Sequence, residues 1–177
     1  MTTKQLSAEE LIDSFTTAFN KNIISSRIER RTAGVKKNEY VTIWMTVDRC
    51  MFKSVIKHLL TIEFPHLAVV SGNDLGETIE LIYHFSLYYG IRLCEISFNI
   101  AVHLPKKDPT IETISDLIPG AVITEREQQE MLGIIIKGIP VNKRLFLPDD
   151  FPEGVYPWRK DEAGPQKLVR NLHEEKK

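Results

Sequence analysis

The stretch from residue 125 to residue 161 constrains this chain more than any other. It begins with a helical pattern and continues as about 20 residues with almost no helical or strand period, which is uncommon inside a compact domain unless the segment is functional or disordered. Its apolar content is too high for a disordered linker; the residues concerned are Leu145, Phe146, Leu147, Phe151, Tyr156 and Trp158. Such a segment is most simply buried against another protein, so we predict an extended docking segment over residues 134–177.

The rest of the chain is long enough for one domain, which we place at residues 1–133. The formal net charge is −1, from 23 basic and 24 acidic residues, and this balance argues against nucleic-acid binding. One basic patch is present, formed by Arg27, Arg30, Arg31, Lys36 and Lys37. Glu29 interrupts it, which favours the solvated face of a hairpin.

No apolar run approaches the ~20 residues that are needed to cross a bilayer. The first residues contain no apolar core of a signal peptide, so we expect an intracellular protein without a membrane span of its own. Only two cysteines occur, Cys50 and Cys94, and the five histidines are scattered. We therefore expect no metal or cluster in this chain, since such sites need several closely spaced ligands.

Hydrophobic periodicity predicts an α+β fold. Ser7 and Glu10 form a capping box for a first helix ending near Asn20, and strict alternation marks a strand over 40–47. A second helix is capped by Asp48 and stopped by Pro65. Three strands follow, at 66–72, 78–87 and 91–104, and consecutive strands pair antiparallel by default. The expected architecture is a mixed, mainly antiparallel sheet with helices packed on one face, plus the extended C-terminal docking segment.

Two short helices are predicted before that segment. One covers Thr110–Ile118 and is stopped by Pro119-Gly120. The other opens with a capping box, Thr124 to Glu127, and ends at Gly133, where a left-handed residue is favoured. Glu125 and Glu127 are favoured near the N-terminus of this helix because the helix dipole is positive there. Arg126 has a planar guanidinium that can donate two hydrogen bonds to a carboxylate of a partner, or to Asp149 or Asp150 of the same chain. Both interpretations, capping alone and capping with an ion pair, remain open here.

The sequence contains no nucleotide-binding glycine loop, no nucleophile elbow and no zinc-protease motif. Its acidic cluster is Asp149, Asp150, Glu153, Asp161 and Glu162, with a spacing that fits no calcium loop. A stand-alone metal-dependent enzyme that uses Asp149, Asp150 and Glu153 is the alternative function. The docking hypothesis instead relies on Phe151, Tyr156 and Trp158, aromatic residues of the kind that dominate interfaces.

The motifs of this stretch resemble one family. Their order is E-R-E-x-x-E-M-x-G-I, G-x-P, K-R-L-x-L-P-D-D and G…P-x-R-K-D. This order resembles the signature of the 30-kDa subunit of respiratory complex I (NADH–quinone oxidoreductase), which has relatives in membrane-bound [NiFe] hydrogenases. The positions that match the family motif are Glu125, Arg126, Glu127, Gly133, Pro140, Arg144, Pro148, Asp149, Asp150, Arg159 and Lys160. Together with Phe151, Tyr156 and Trp158, they are the residues that we predict to form the partner interface.

The resemblance implies a cofactor-free structural subunit in the peripheral arm of an ion-translocating oxidoreductase complex, on the cytoplasmic side of the membrane. Its partners would be a large hydrogenase-like subunit, covered by the C-terminal segment, and a small iron–sulfur subunit. Iron–sulfur clusters, and nickel–iron in a hydrogenase, would reside in those partners. Leu132, Ile139 and Phe151 stand where the family usually has Phe, His and Trp, and these departures favour the hydrogenase branch.

Overall fold

The computed structural model describes residues 5–141 and 143–168. Three helices and seven strands make up its regular structure: α1 (Ala8–Phe19), β1 (Ile23–Ala33), β2 (Asn38–Val47), α2 (Phe52–Ile62), β3 (His66–Asp74), β4 (Thr78–Leu87), β5 (Ile96–Pro105), β6 (Thr110–Glu112), α3 (Ala121–Leu132) and β7 (Ile135–Lys137). The predicted α+β class is confirmed. Residues 142 and 169–177 of the predicted docking segment lie outside the described residues.

The main sheet has five strands in the order β1-β2-β5-β4-β3. The pair β2–β5 is parallel and the other three pairs are antiparallel, as a mixed, mainly antiparallel sheet requires. Strands β6 and β7 form a separate parallel pair. The short parallel pair buries Ile111 and Ile136 against the main core.

One face of the main sheet carries the core. Alternate residues of the central strands are buried on it, for example Ile79, Leu81, Tyr83 and Phe85 of β4. Helices α1 and α2 place Phe15 and Phe52, among others, in the same cluster, and α3 adds Leu132. All three helices therefore lie on this face, as predicted: α1 and α2 each bury an apolar stripe, whereas α3 buries Ala121 and Leu132 together with Glu125 and Gln128.

The predicted first capping box is present. Ser7 Oγ accepts from the Glu10 N–H at 3.2 Å, and the Glu10 carboxylate accepts from the Ser7 N–H at 2.8 Å. Asp48 also caps as predicted, since its carboxylate accepts from the Cys50 N–H at 3.0 Å. Both caps are encoded by a few neighbouring residues, which is why the sequence shows them.

Three element predictions were wrong. Residues 110–112 form strand β6 instead of a helix, because pairing with β7 buries Ile111. Strand β5 begins at Ile96 instead of Ile91, since residues 88–95 form turns with Leu93 at φ 62°. Helix α3 begins at Ala121, so Thr124 lies inside it and its hydroxyl donates to the Ala121 carbonyl at 3.3 Å. Thr124 and Glu127 therefore form no capping box.

Candidate partner-docking site

Helix α3 is fastened to the sheet by a buried carboxylate. Glu125 has no exposed surface, and it accepts hydrogen bonds from the Thr113 hydroxyl at 2.5 Å, the Ile114 N–H at 3.0 Å and the Tyr83 hydroxyl at 3.3 Å. Burial raises the pKa of this carboxyl, although these hydrogen bonds oppose the effect. Glu125 thus joins α3, β4 and the loop after β6 rather than facing a partner.

The C-terminal segment, residues 143–161, is attached to the outer side of α3. The Arg126 guanidinium donates through Nε and Nη2 to the Lys143 carbonyl, at 3.1 and 2.8 Å, and through Nη2 to the Arg144 carbonyl at 3.0 Å. Of the alternatives that the sequence left open for Arg126, an ion pair with Asp149 or Asp150 of the same chain is not formed within the described residues. A planar fork can satisfy two neighbouring carbonyls as well as a carboxylate, and the fold brings the carbonyls within reach.

Glu130 holds the next part of the segment. Its carboxylate accepts from the backbone N–H groups of Leu145 and Phe146, the latter at 2.8 Å. Arg144 then closes the turn by donating to the Pro148 carbonyl at 2.7 Å. The side chains of Asp149 and Asp150 are exposed and make no hydrogen bond or ion pair with residues 5–141 and 143–168.

The aromatic residues of the segment divide into packed and exposed. Tyr156 packs against Gly133 at the end of α3, and its ring lies 6.0 Å from the Arg159 guanidinium. The backbone N–H of Trp158 donates to the Met131 carbonyl at 2.9 Å, yet the residue is 42% exposed. Phe151 is half-buried.

A charged clasp fixes the end of the segment to the sheet. The buried Asp74 carboxylate accepts from Lys106 Nζ at 2.7 Å and from the Lys160 N–H at 2.8 Å, while Lys106 also donates to Asp161 at 2.6 Å. Burial by itself raises the pKa of Asp74, but the Lys106 ammonium and the N–H groups of Lys160 and Gly76 outweigh it and lower the pKa to about 2. The 9% exposed Arg159 side chain lies beside the clasp, 3.8 Å from Asp161.

Several predicted residues have a clear place in this arrangement. Gly133 ends α3 in the left-handed conformation, φ 69°, as predicted. Pro140 and Pro148 are exposed, and Glu127 is half-buried on α3. Sequence reasoning missed the anchoring roles of Asp74, Lys106 and Glu130. The one local signal was Asp74 two residues before Gly76, whose N–H it accepts at 2.9 Å, a pattern typical of turns.

A groove of about 400 Å³ runs between α3 and the segment. Arg126, Glu130 and Tyr156 line it, together with Glu153. Among the described residues, no group of three or more His, Cys, Asp or Glu side chains is placed to hold a metal ion. Likewise, no helix in residues 5–141 and 143–168 has the length and apolar character to cross a membrane.

Comparison with known proteins places this geometry in a family. The family described as "Respiratory-chain NADH dehydrogenase, 30 Kd subunit" matches residues 45–167. The membrane-bound hydrogenase subunit beta of Pyrococcus furiosus is 35% identical over 154 residues, 85% of this chain and 88% of that protein. A subunit of the F420H2 dehydrogenase of Methanosarcina mazei is 33% identical over 171 residues, 94% of this chain and 99% of that protein.

A solved structure shares the fold. A chain of the membrane-bound sulfane sulfur reductase, described as an archaeal respiratory membrane complex, superposes with a TM-score of 0.66 at 17% identity, over 96% of both chains. The family match covers strands β3, β4 and β5 of the main sheet, helix α3 and the C-terminal segment. This chain therefore belongs to the family of the 30-kDa subunit of respiratory-chain NADH dehydrogenase.

Proposed function

We propose that this chain is a structural subunit in the peripheral arm of a membrane-bound, ion-translocating oxidoreductase complex, with the membrane-bound hydrogenase branch favoured. Its role is to dock onto the large catalytic subunit and to hold that subunit beside the small iron–sulfur subunit. The redox centres, iron–sulfur clusters and nickel–iron in a hydrogenase, reside in those partners. The complex binds this chain at the cytoplasmic side of the membrane.

One observation carries the docking proposal. Phe146 and Trp158 are 58% and 42% exposed, yet the backbone N–H of each is bound to α3, through Glu130 and through the Met131 carbonyl. Large aromatic side chains on a fixed backbone lose little conformational entropy on binding. They are therefore suited to act as anchors of an interface.

Helix α3 and strand β7 carry further exposed apolar side chains that fit the same role. Ile123 of α3 and Ile135 of β7 are 48% and 56% exposed. The free carboxylates of Asp149 and Asp150 lie in the same segment, where they can form the polar rim that usually borders an apolar centre. We call this surface, formed by Ile123, Ile135, Phe146, Asp149, Asp150 and Trp158, the segment surface.

The sequence relatives support the choice of complex. A membrane-bound hydrogenase subunit and an F420H2 dehydrogenase subunit both match over most of their length.

The C-terminal segment is held against its own domain, so it presents a preformed surface to a partner rather than acting as a free arm. A preformed surface gives tighter binding because less chain must be ordered.

The test is recovery of the complex from native membranes in mild detergent, with a tag on this chain. The wild type is expected to bring down a large hydrogenase-like subunit and a small iron–sulfur subunit, identified by mass spectrometry and by metal analysis. Phe146→Asp and Trp158→Asp each place a charge in the interface, and each is expected to lower the recovery of the large subunit at least ~30-fold, since an anchor contributes about 2 kcal/mol or more.

Val35→Asp is the matched control. Val35 is fully exposed in the turn between β1 and β2, outside the segment surface, so this variant should recover the complex like the wild type. Undiminished recovery by both aromatic variants would contradict the segment surface. Recovery of this chain alone as a monomer, together with a thermal unfolding midpoint that divalent ions raise, would instead support the metal-dependent enzyme that uses Asp149, Asp150 and Glu153.

A further inference from the structure

Three arginines lie in or beside the C-terminal segment, and two of them have hydrogen-bond acceptors. Arg126 donates to the Lys143 and Arg144 carbonyls, and Arg144 donates to the Pro148 carbonyl. Arg159 differs from both. Its side chain is 9% exposed, and its Nε and Nη1 atoms are buried without an acceptor in the part of the chain that the structure describes.

A buried guanidinium without acceptors is costly, because arginine remains protonated throughout the physiological pH range. A buried charge that is neither paired nor hydrogen-bonded loses its hydration and gains no interaction in return. Nearly all buried polar groups in folded proteins have a partner, so each exception requires an explanation. The donors of Arg159 therefore indicate an acceptor that the described residues of this chain do not supply.

Asp161 is the described carboxylate that approaches Arg159, and it is already engaged. Its Oδ2 lies 3.8 Å from Arg159 Nε, beyond hydrogen-bond distance, and accepts from Lys106 Nζ at 2.6 Å. Its Oδ1 accepts from the Ala163 N–H at 3.1 Å. If Asp161 turned toward Arg159, it would lose one of these bonds, so it does not serve as the missing acceptor.

The charged clasp as a whole is one carboxylate short. Two carboxylates, Asp74 and Asp161, are matched against three cations, Lys106, Arg159 and Lys160, which leaves a net charge of +1. The Lys160 ammonium donates to the Asp74 backbone carbonyl at 3.0 Å, and a carbonyl supplies no negative charge. The acceptor that fits is therefore an anion, and a carboxylate matches the planar guanidinium with two parallel hydrogen bonds.

The guanidinium is accessible through its third nitrogen. Within residues 5–141 and 143–168, the buried atoms of Arg159 that lack a partner are Nε and Nη1, and no hydrogen bond uses Nη2, which leaves Nη2 at the surface. Both two-bond geometries of a guanidinium include Nη2, either with Nε or with Nη1. A carboxylate that reaches Nη2 from outside thus also supplies an acceptor to one of the buried nitrogens.

The position of Arg159 in the chain indicates which partner supplies this carboxylate. The preceding residue, Trp158, is part of the segment surface, and its backbone N–H is bound to Met131 of α3. The Arg159 guanidinium lies 6.0 Å from the ring of Tyr156, which packs against Gly133 at the same end of α3. A partner that covers Trp158 excludes water from this region, and a charged hydrogen bond is stronger where water is excluded.

We infer that Arg159 binds a carboxylate of the large subunit, an Asp or Glu side chain, and that this ion pair completes the charged clasp when the complex assembles. The inference rests on the proposed function, since it takes the carboxylate from the subunit that covers the segment surface. It deepens that function by specifying the chemistry of one contact. The guanidinium is unpaired in the separate chain and paired in the complex.

Arg159→Met separates this role from a role in folding. The variant keeps an apolar side chain but removes the charge, and no hydrogen bond within the described chain is lost. In denaturant titrations of the full-length chain alone, its unfolding midpoint should equal or exceed that of the wild type. Recovery of the large subunit from native membranes should fall at least ~30-fold, because the partner's carboxylate is left buried and unpaired.

Arg31→Met is the matched control. The Arg31 side chain is 82% exposed on β1 and lies 3.6 Å from the Glu29 carboxylate, an exposed ion pair that contributes little. This variant should match the wild type both in its unfolding midpoint and in the recovery of the large subunit.

Carbodiimide cross-linking identifies the acceptor. This reagent joins a lysine amine directly to a carboxylate in contact with it. Arg159→Lys keeps the positive charge, so enough complex should assemble to be purified from native membranes, treated and mapped by mass spectrometry. The expected result is a link from position 159 to an Asp or Glu of the large subunit. Arg31→Lys, treated in the same way, should give no link to that subunit.

Other outcomes overturn the inference. One is a link from position 159 to Asp161, to Glu174 or Glu175 of the same chain, or to the small subunit, without a link to the large subunit. Another is the absence of any link from position 159 while the large subunit still co-purifies. Undiminished recovery by Arg159→Met also overturns it, since the buried donors would then be satisfied within the chain or by water.

A lower unfolding midpoint of Arg159→Met would assign the residue to the fold of the segment and would overturn the inference as well. In all these cases the wild type still recovers the large subunit, so the proposed function stands and only the role of Arg159 fails. If the wild type recovers no large subunit, the proposed function fails first, and the inference fails with it.

Discussion

A Cβ atom at Gly133 would lie 2.4 Å from Cε2 of Tyr156, so the glycine and the ring are in direct contact. Gly133 also has φ 69°, a left-handed conformation that L side chains adopt only at a cost. Glycine is therefore required at position 133 for two reasons, the left-handed backbone and the closeness of the Tyr156 ring. This contact joins the helix to the C-terminal segment.

Gly133→Ala is expected to loosen that segment. The left-handed backbone costs about 1 kcal/mol for alanine, and the clash with Tyr156 adds about 1–3 kcal/mol. The expected result is a lower free energy of unfolding together with faster proteolysis within residues 143–161, measured by denaturant titration and timed digestion.

Gly154→Ala is the control for the backbone contribution. Gly154 has a similar φ of 74°, but an added Cβ meets no atom within 4 Å. It should lose only about 1 kcal/mol. Equal losses in the two variants would show that the Tyr156 contact contributes nothing.

The Asp74 clasp predicts a loss of stability in acid. The folded-state pKa of about 2 lies below the ordinary value of 3.8, so the ionised carboxylate stabilises the fold above pH 3.8, and this contribution is lost as the pH falls toward 2. The contribution amounts to about 2 kcal/mol. In denaturant titrations at several pH values, Asp74→Asn should reduce the dependence of the free energy of unfolding on pH over this range. Asp150→Asn, which changes an exposed carboxylate, is the control and should behave like the wild type.

Glu125 predicts the opposite pH dependence. Burial raises its folded-state pKa above 4.5, so its contribution is most favourable below pH 4.5 and declines as the pH rises through the folded value. Glu125→Gln keeps acceptors for Ile114 and Tyr83 without a buried charge, so we expect equal or greater stability at pH 8. Glu125→Ala removes the acceptors and should cost about 2–4 kcal/mol. A Gln variant as unstable as the Ala variant would contradict this account.

Arg126→Lys is expected to release the start of the segment. A lysine ammonium cannot reproduce the fork that spans the Lys143 and Arg144 carbonyls. Loss of about 1–1.4 kcal/mol of local stability raises cleavage after Arg144 by trypsin up to ~10-fold. Arg31→Lys, at an exposed arginine of β1, should not change that rate.

Local patterns predicted most of the regular elements, but not strands β1, β6 and β7. Alternation in β2 and β4, the Ser7–Glu10 box and the Gly133 terminator each depend on residues near one another in the chain. The errors arose where distant pairing decided the outcome. Thr110–Glu112 became a strand only because Ile135–Lys137 lies beside it, 25 residues further on.

The candidate site was predicted in part. Sequence motifs pointed to residues 125–161, but their local interpretation put Glu125 in the first turn of a helix, as an acid favoured by the helix dipole. Thr113 and Tyr83, 12 and 42 residues away, make it a buried acceptor instead. Arg126 likewise binds two carbonyls whose position depends on the path of the segment.

The sequence by itself determined the α+β class, the family motifs and the aromatic character of the C-terminal segment, because periodicity, capping and composition act over short stretches of chain. Only the tertiary structure decided which side chains anchor that segment and which remain exposed. Asp74, Lys106 and Lys160 meet across up to 86 residues, and Trp44 lies beside Asn99 only once β2 and β5 pair in parallel. Such contacts depend on how distant elements pack, and no local pattern encodes them.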